Sequence, residues 1–258
     1  MFFVFNKEKI ISCAIALGTV IILFLLVSTF QPLELESIQT SAGLSKLLPI
    51  YSVKTNEPKV ALTINCAWNA DDIDNILETL KSHEIKVTFF MVGDWVRKYP
   101  EAVKKISDAG HDLANHSDSH PHLNNMTYEE NLEEIKRCSE AIKSITKTDT
   151  SLYRGPYGEY NDTVIKAAMD LNHKVIQWSI DTLDYKALTE EQMWQRIEPN
   201  LQNGSIILMH NGTENTALSL DNIIKKIKEK GYSLVTVSEL IYKDNYEIDN
   251  TGMQYKND

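Results

Sequence analysis

The sequence predicts an α/β fold in which about seven parallel strands alternate with about six helices, preceded by one N-terminal transmembrane helix. Three observations lead to this prediction: a long uncharged segment near the N-terminus, short apolar runs of strand length, and helical patterns of apolar residues between those runs. Parallel sheets with helices outside either close as barrels or stay open and doubly wound, and periodicity alone does not choose between the two.

The segment Ile10–Phe30 contains no charged residue and has about the length that crosses a bilayer as a helix. Lys7 and Lys9 precede it and Glu34 follows it, a bias that keeps the N-terminus in the cytoplasm. A small-x-small cleavage site is poorly formed, which favours an uncleaved anchor over a signal peptide. We therefore expect residues 1–31 to be a cytoplasmic stub and membrane anchor, with the domain extracytoplasmic; cleavage would instead release a secreted domain.

The remaining chain is expected to contain a linker at 32–56, a folded domain at 57–243 and a polar tail at 244–258 that is polar enough to be disordered. Apolar runs of strand length occur at 60–65, 86–93, 111–117, 152–156, 174–181, 205–211 and 232–241. Helical patterns occur at 71–85, 95–110, 128–147, 161–173, 190–201 and 220–231.

The charge balance is acidic. Lys and Arg total 26 against 36 Asp and Glu, which gives a formal net charge of −10, and no basic run is long enough to neutralise a row of phosphates. Nucleic acid is therefore not an expected partner.

Polar residues stand directly after the apolar runs of five predicted strands. Because active sites of parallel α/β proteins gather at the carboxyl ends of their strands, we expect these side chains to share one rim. The rim residues are Asn65, Cys66, Trp68, Asp71, Asp72, His116, His120, Arg154, Pro156, Tyr157, Asp181, Asp184, His210 and Asn211.

Taken singly, these residues have alternative interpretations. His116 and His120 would share one face of a helix and suit a single cation, but this spacing also arises by chance. His210 either protonates a leaving group or is a structural histidine. Arg154 and Asp181 could also form a buried ion pair that only fixes two loops.

As an ordered set, the segments resemble the polysaccharide deacetylase family, carbohydrate esterase family 4, also called the NodB homology domain. Five motifs occur in order between about Val60 and Ile241: ALTINCAWN, NHSDSH, LYRGPYGEYN, DTLDY and LMHN. The sequence is most similar to sporulation-associated deacetylases of Gram-positive spore formers. The resemblance implies an irregular (β/α) barrel.

The resemblance also implies that His116 and His120 bind a divalent cation, Zn²⁺ or a related ion such as Co²⁺. The family's third ligand corresponds to Cys66. A cysteine after a strand is more often a small buried residue, so Asp71 and Asp72 are alternative ligands, of which we favour Asp71.

Other roles follow from the same resemblance. His210 would protonate the departing amine, Asp181 would orient or tune the catalytic groups, and Arg154 would tether the base. The backbone N–H of Tyr157 would stabilise the oxyanion. We also expect Tyr157, Pro156 and Trp68 to contact the substrate, although a tryptophan beside an apolar strand pattern is more often a core residue.

The position of the family's catalytic base is Asn65 in this sequence. An amide cannot accept the proton, so a general-base contribution of about a hundred- to ten-thousand-fold should be missing unless Asp71 or Asp72 replaces it. Three functions remain open. The first is metal-dependent hydrolysis of N-acetyl groups on peptidoglycan or another N-acetylated glycan. The second is a catalytically impaired domain that binds wall glycan or a partner, and the third is a structural membrane-tethered protein whose rim histidines are relics.

Overall fold

The computed structural model describes residues 17–18 and 46–257 of the 258-residue chain. The chain divides into residues 1–45 and 46–258, and the architecture below is that of the second unit. The predicted anchor Ile10–Phe30 lies outside the described residues except for Leu17 and Gly18. Within the described ranges, no helix combines the length and the apolar character that a membrane crossing requires.

The main sheet has eight strands, all paired in parallel, with β2 (Lys59–Cys66) at its centre. One side of β2 pairs with β3 (Thr88–Met91); β2 also pairs with β8 (Ile206–His210) and, near its start, with β9 (Ser233–Val235). The other strands are β4 (Asp112–Asn115), β5 (Leu152–Tyr153), β6 (Lys174–Val175) and β7 (Ile180–Asp181). The order β6-β5-β4-β3-β2-β8-β7 is that of a parallel half-barrel, which confirms the predicted α/β class.

The prediction of one strand over 174–181 was wrong, because this segment forms two short strands, β6 and β7, at the two ends of the sheet order. Between them, the N–H of Gln177 donates to the Ile50 carbonyl at 2.7 Å, and the N–H of Ser179 donates to the Ile206 carbonyl at 3.0 Å. The short connection spans at most about 17 Å, so the ends of the sheet lie close together and the sheet is curved.

Helices connect the strands and cover the outer face of the sheet. They are α1 (Ile73–Ser82), α2 (Gly93–Lys98), α3 (Pro100–Asp108), α4 (Tyr128–Thr146), α5 (Asp162–Asp170), α6 (Glu190–Ile197), α7 (Thr216–Glu229) and α8 (Val237–Leu240). A capping box between Thr127 and Glu130 begins α4. The single helix predicted over 95–110 is interrupted at Tyr99, since a residue before proline, here Pro100, disfavours the helical conformation.

Alternation along β2 sends successive side chains to opposite faces of the sheet. Leu62, Ile64 and Cys66 are fully buried in the core cluster beneath the helices. Ala61 belongs to a second cluster on the opposite, inner face, and Asn65 shares that face by the same alternation. The sheet therefore turns Asn65 toward the inside of the half-barrel and Cys66 away from it.

A second sheet joins the beginning and the end of the domain. Strand β1 (Ser52–Val53) pairs in parallel with β11 (Met253–Lys256), and β11 pairs antiparallel with β10 (Tyr246–Ile248). Parts of the expected linker, 32–56, and of the expected polar tail, 244–258, are thus strands. Composition gave no sign of this order, because the two segments satisfy their backbone groups through each other.

Candidate active site

A cavity of about 600 Å³ opens at the carboxyl ends of the central strands. It is lined by Asn65, Ala67, Trp68, His116, His120, Gly155, Tyr157, Gly158, Trp178, Asp181, Tyr185, Leu208 and His210. Its volume and its mixture of aromatic and polar side chains are typical of a site for a small ligand or one unit of a polymer.

The structure brings most of the predicted site residues to this cavity, in agreement with the expected rim. Arg154 lies beneath it and is fully buried. Pro156, expected to contact the substrate, is also buried and does not line the cavity. The third-ligand alternatives, Cys66, Asp71 and Asp72, are absent from the lining as well.

Arg154 connects β5 to the floor of the cavity. Its Nη1 donates to Thr63 Oγ1 and to Asn65 Oδ1, both at 2.9 Å, and its Nη2 donates to the Gln177 carbonyl at 3.0 Å. The ring of Phe90 packs against the guanidinium, with Cζ 3.9 Å from the ring centroid. Burial lowers the pKa of Arg154 to about 9, against the opposing effect of the Asp181 carboxylate. No described hydrogen-bond partner of this buried cation is charged.

The contacts of Asn65 fix the orientation of its amide. Because Oδ1 accepts from Arg154, Nδ2 is the atom directed at His116 Nε2, 3.2 Å away. The amide nitrogen can only donate, so Nε2 must accept, and Nδ1 of His116 donates to the Arg154 carbonyl at 2.7 Å. The lone pair that a metal ion would use on His116 is therefore engaged by the Asn65 amide.

His116 and His120 do lie together, but not on a helix as the spacing suggested. The loop between them has left-handed backbone at Ser117 (φ 69°) and at His120 itself (φ 59°). The two imidazole centroids are nevertheless only 5.1 Å apart. Burial, followed by the neighbouring imidazole, holds the pKa of His116 well below its usual value, and burial also lowers that of His120.

Neither Cys66 nor the acidic pair completes a metal site with these histidines. Cys66 is on the outer face of β2, and burial raises its thiol pKa well above normal, which disfavours the thiolate. Asp72 accepts hydrogen bonds from Asn211 Nδ2 and the Gly212 N–H, and Asp71 is exposed outside the cavity. In the described ranges, no three His, Cys, Asp or Glu side chains are grouped to hold a metal ion. The favoured ligand set, His116, His120 and Asp71, does not fit.

His210 is oriented by Asp184, while Asp181, which was expected to orient or tune the catalytic groups, makes no hydrogen bond with His210 among the described contacts. Asp184 is fully buried, and its Oδ1 accepts from His210 Nδ1 at 2.8 Å. Its Oδ2 accepts from the His210 N–H at 2.6 Å and from Thr216 Oγ1 at 2.7 Å. The sequence analysis placed Asp184 on the rim but gave it no role. Its position three residues after Asp181, in the turn that follows β7, could have indicated that it reaches the site.

Asp181 lines the cavity and is the only carboxylate in its lining as described. Its Oδ1 accepts from the Leu183 N–H at 2.9 Å.

On another part of the rim, Tyr157 has left-handed backbone with φ 58°. Among the described residues its N–H donates to no acceptor, which is compatible with the predicted oxyanion role.

Aromatic rings surround the mouth of the cavity. Trp68 and Tyr185 flank the His210 ring at centroid distances of 5.3 and 5.4 Å. Tyr157 stacks on His122 at 4.3 Å with an interplanar angle of 15°. About half of each of Trp68, Tyr157 and Tyr185 is exposed, which leaves apolar faces available to a ligand.

Comparison with known proteins places this geometry in a family. The family model described as polysaccharide deacetylase matches residues 52–176. The uncharacterized protein YlxY of Bacillus subtilis is 34% identical over 81% of this chain and 63% of its own length. A peptidoglycan-N-acetylglucosamine deacetylase of Bacillus cereus is 32% identical over 74% of this chain and 70% of its own. The chain thus spans slightly less than two thirds of YlxY.

The solved structures include a CE4 family pseudoenzyme from Bacillus anthracis. The wild-type form is 33% identical, covers 81% of this chain and 73% of its own, and superposes with a TM-score of 0.73. A mutant of it, described as having restored enzymatic activity, is 35% identical over 76% of this chain and 71% of its own, also with a TM-score of 0.73. The relatives named as deacetylases are hydrolases of carbon–nitrogen bonds. This chain belongs to the polysaccharide deacetylase family.

Proposed function

We propose that this protein binds an N-acetylated cell-wall glycan in the cavity and that its hydrolysis of the N-acetyl group is strongly impaired. The observation that carries the proposal is the amide of Asn65, which is held between Arg154 and His116. It stands where the resemblance places the base, yet it has no basic atom, and it engages the histidine atom that would otherwise be available.

Support for glycan binding comes from the rest of the cavity. Exposed faces of Trp68, Tyr157 and Tyr185 offer stacking surfaces for sugar rings, while His120 and Asp181 add polar groups. Several relatives are named peptidoglycan deacetylases, which makes peptidoglycan the first ligand to test.

Calorimetric titration with an N-acetylglucosamine tetramer, alongside an assay of acetate release, tests this proposal. We expect saturable binding with little release, and we expect Trp68→Ala to weaken binding by about fivefold, as removal of one stacking aromatic costs about 1 kcal/mol. Leu218→Ala is the matched control, because Leu218 is 76% exposed but does not line the cavity. Equal affinities for the two variants and the natural protein, or no binding at all, would reject the proposal.

Metal-dependent hydrolysis is the second candidate, and the His210–Asp184 pair favours it. This pair is oriented as a proton donor requires, and the Tyr157 N–H, which has no acceptor among the described residues, can donate to an oxyanion. Asp181, rather than Asp71 or Asp72, would then have to serve as the base. Acetate release that requires added Zn²⁺ or Co²⁺ and is abolished by Asp181→Asn would establish this function in place of the first.

We also propose that the domain lies outside the cytoplasm, tethered by Ile10–Phe30. The uncharged segment and its preceding lysines support this location, as does a wall-glycan ligand. Protease added to intact cells with permeabilised walls should digest the domain, while a cytoplasmic marker survives; protection of both would reject the location.

A further inference from the structure

The loop that carries the two rim histidines is held from outside the cavity by Glu134, a residue of α4. Glu134 Oε2 accepts from Ser117 Oγ at 2.7 Å and from the N–H groups of Asp118 and Ser119, both at 2.9 Å. Its Oε1 accepts from Ser119 Oγ at 2.8 Å. One carboxylate therefore binds every residue between His116 and His120.

The opposite side of the same loop is fixed by the beginning of α2. The N–H groups of Gly93 and Asp94 donate to the carbonyls of Ser117 and Asp118, both at 2.9 Å. A Cβ at Gly93 would lie 2.1 Å from Asp118 Oδ1, so the two segments are in close contact. The backbone of the loop is thus held on both sides, by donors from α2 and by the acceptor Glu134.

The position of His120 depends on this backbone more than on its own ring. Among the described residues the ring of His120 has no side-chain hydrogen-bond partner, and its neighbours are the rings of His116 and Tyr157. Its φ of 59°, with a φ of 69° at Ser117, is a conformation that a non-glycine residue keeps only when its surroundings impose it. The four hydrogen bonds to Glu134 are the charge-assisted part of those surroundings.

We propose that Glu134 is a positioning residue, which sets the direction of the His120 imidazole in the cavity through the Ser117–Ser119 backbone. Glu134 orders the backbone between the two histidines from within the protein, through four hydrogen bonds. Hydrogen bonds to the loop keep the pKa of Glu134 below its usual value despite partial burial, so the carboxylate remains charged at neutral pH. The effect on ligand binding rests on the proposed function, whereas the effect on His120 does not.

The test uses proton–nitrogen NMR of histidine imidazoles, without any ligand, in the natural protein, Glu134→Ala and Glu133→Ala. Glu133 is the neighbouring residue on the same helix and pairs only with exposed Arg137 within the described contacts. We expect the His120 signals to shift or broaden in Glu134→Ala, to be partly restored in Glu134→Gln, which keeps one acceptor oxygen, and to be unchanged in Glu133→Ala. Affinity for the N-acetylglucosamine tetramer should fall in the same order, by about tenfold for Glu134→Ala.

His120 signals that are the same in Glu134→Ala and in Glu133→Ala would overturn the inference. If Glu134→Ala does not fold, Ser119→Ala decides, because it removes only the hydroxyl bond to Oε1 and leaves the backbone bonds in place; an unchanged His120 signal there also overturns it. Failure of the natural protein to bind the tetramer would reject the proposed function, but the imidazole signals would still decide the role of Glu134.

Discussion

Replacing Asn65 with aspartate changes one atom and alters two contacts of opposite sign. The bond from Arg154 Nη1, 2.9 Å long, becomes charge-assisted and should strengthen by about 1 kcal/mol. The bond from Asn65 Nδ2 to His116 Nε2, 3.2 Å long, is lost, at a cost of about 1 kcal/mol. Without metal, the midpoint of thermal unfolding should therefore change little.

Addition of Zn²⁺ should distinguish the Asn65→Asp variant from the natural protein. Asn65→Asp restores a carboxylate at the position of the family's base and frees His116 Nε2, so that both rim histidines can offer a lone pair to zinc. At a hundred times the dissociation constant, binding adds about 2.7 kcal/mol, which raises the unfolding midpoint of a domain of this size by about 5–10 °C. The natural protein should shift far less. Acetate release from N-acetylglucosamine oligomers should rise at least about a hundredfold in the variant.

Differential scanning fluorimetry with and without Zn²⁺, combined with an acetate assay, measures both effects. Asn115→Asp is the matched control, because its amide donates to the Ile135 carbonyl at 2.6 Å and to Ser139 Oγ at 2.8 Å. A carboxylate there should destabilise the fold by about 1–3 kcal/mol and confer no response to zinc. Equal zinc shifts in the natural protein and in Asn65→Asp, or a variant that neither responds to zinc nor releases acetate, would refute this account of the site.

Three further predictions concern residues around the site and in the core. Asp184→Asn should destabilise the domain by about 2–4 kcal/mol in chemical unfolding, because an amide replaces one acceptor oxygen of a buried carboxylate that binds His210 through two bonds; an unchanged unfolding curve would contradict the assignment. Gly155→Ala should lower the thermal midpoint and weaken glycan binding, since a Cβ would lie 2.3 Å from the Glu159 carbonyl oxygen. A crystal structure of the variant in which the loop from Gly155 to Glu159 has not moved would contradict this prediction. Burial lowers the pKa of His111 from 6.5 to about 4, so between pH 6.5 and pH 4 the unfolded state binds more protons than the folded state. The free energy of unfolding should therefore fall by up to about 3 kcal/mol as the pH drops from 6.5 toward 4. Urea titrations of His111→Asn should show a flatter dependence on pH in this range.

The sequence was sufficient for the fold class and for most of the rim. Runs such as Lys59–Cys66 and Ile206–His210 are buried on both faces, as central parallel strands are, and the residues that end them meet at one edge. The ordered motifs gave the family, which the comparisons confirm. The position of Asn65 beside His116 and Arg154 also follows from that ordering.

The errors have local physical causes. Sequence spacing cannot register the left-handed residues Ser117 and His120, so the His pair was expected on a helix. Asp181 and Asp184 are equally acidic and close in sequence, and only the turn after β7 decides which one reaches His210. Asp71 was favoured as a ligand by chemistry alone, whereas its distance from the cavity depends on how the chain leaves β2.

The central position of β2 has a consequence for the order in which the chain can fold. Its partner β3 follows within about 20 residues of sequence, but its other partners, β8 and β9, come more than a hundred residues later. During synthesis on the ribosome, the backbone N–H and C=O groups on one edge of β2 therefore stay unpaired until almost the whole domain has emerged. The pairing of Ser52 with Met253 comes later still, so a fragment trimmed to 57–243 would lose this final step and should refold less efficiently than 46–258.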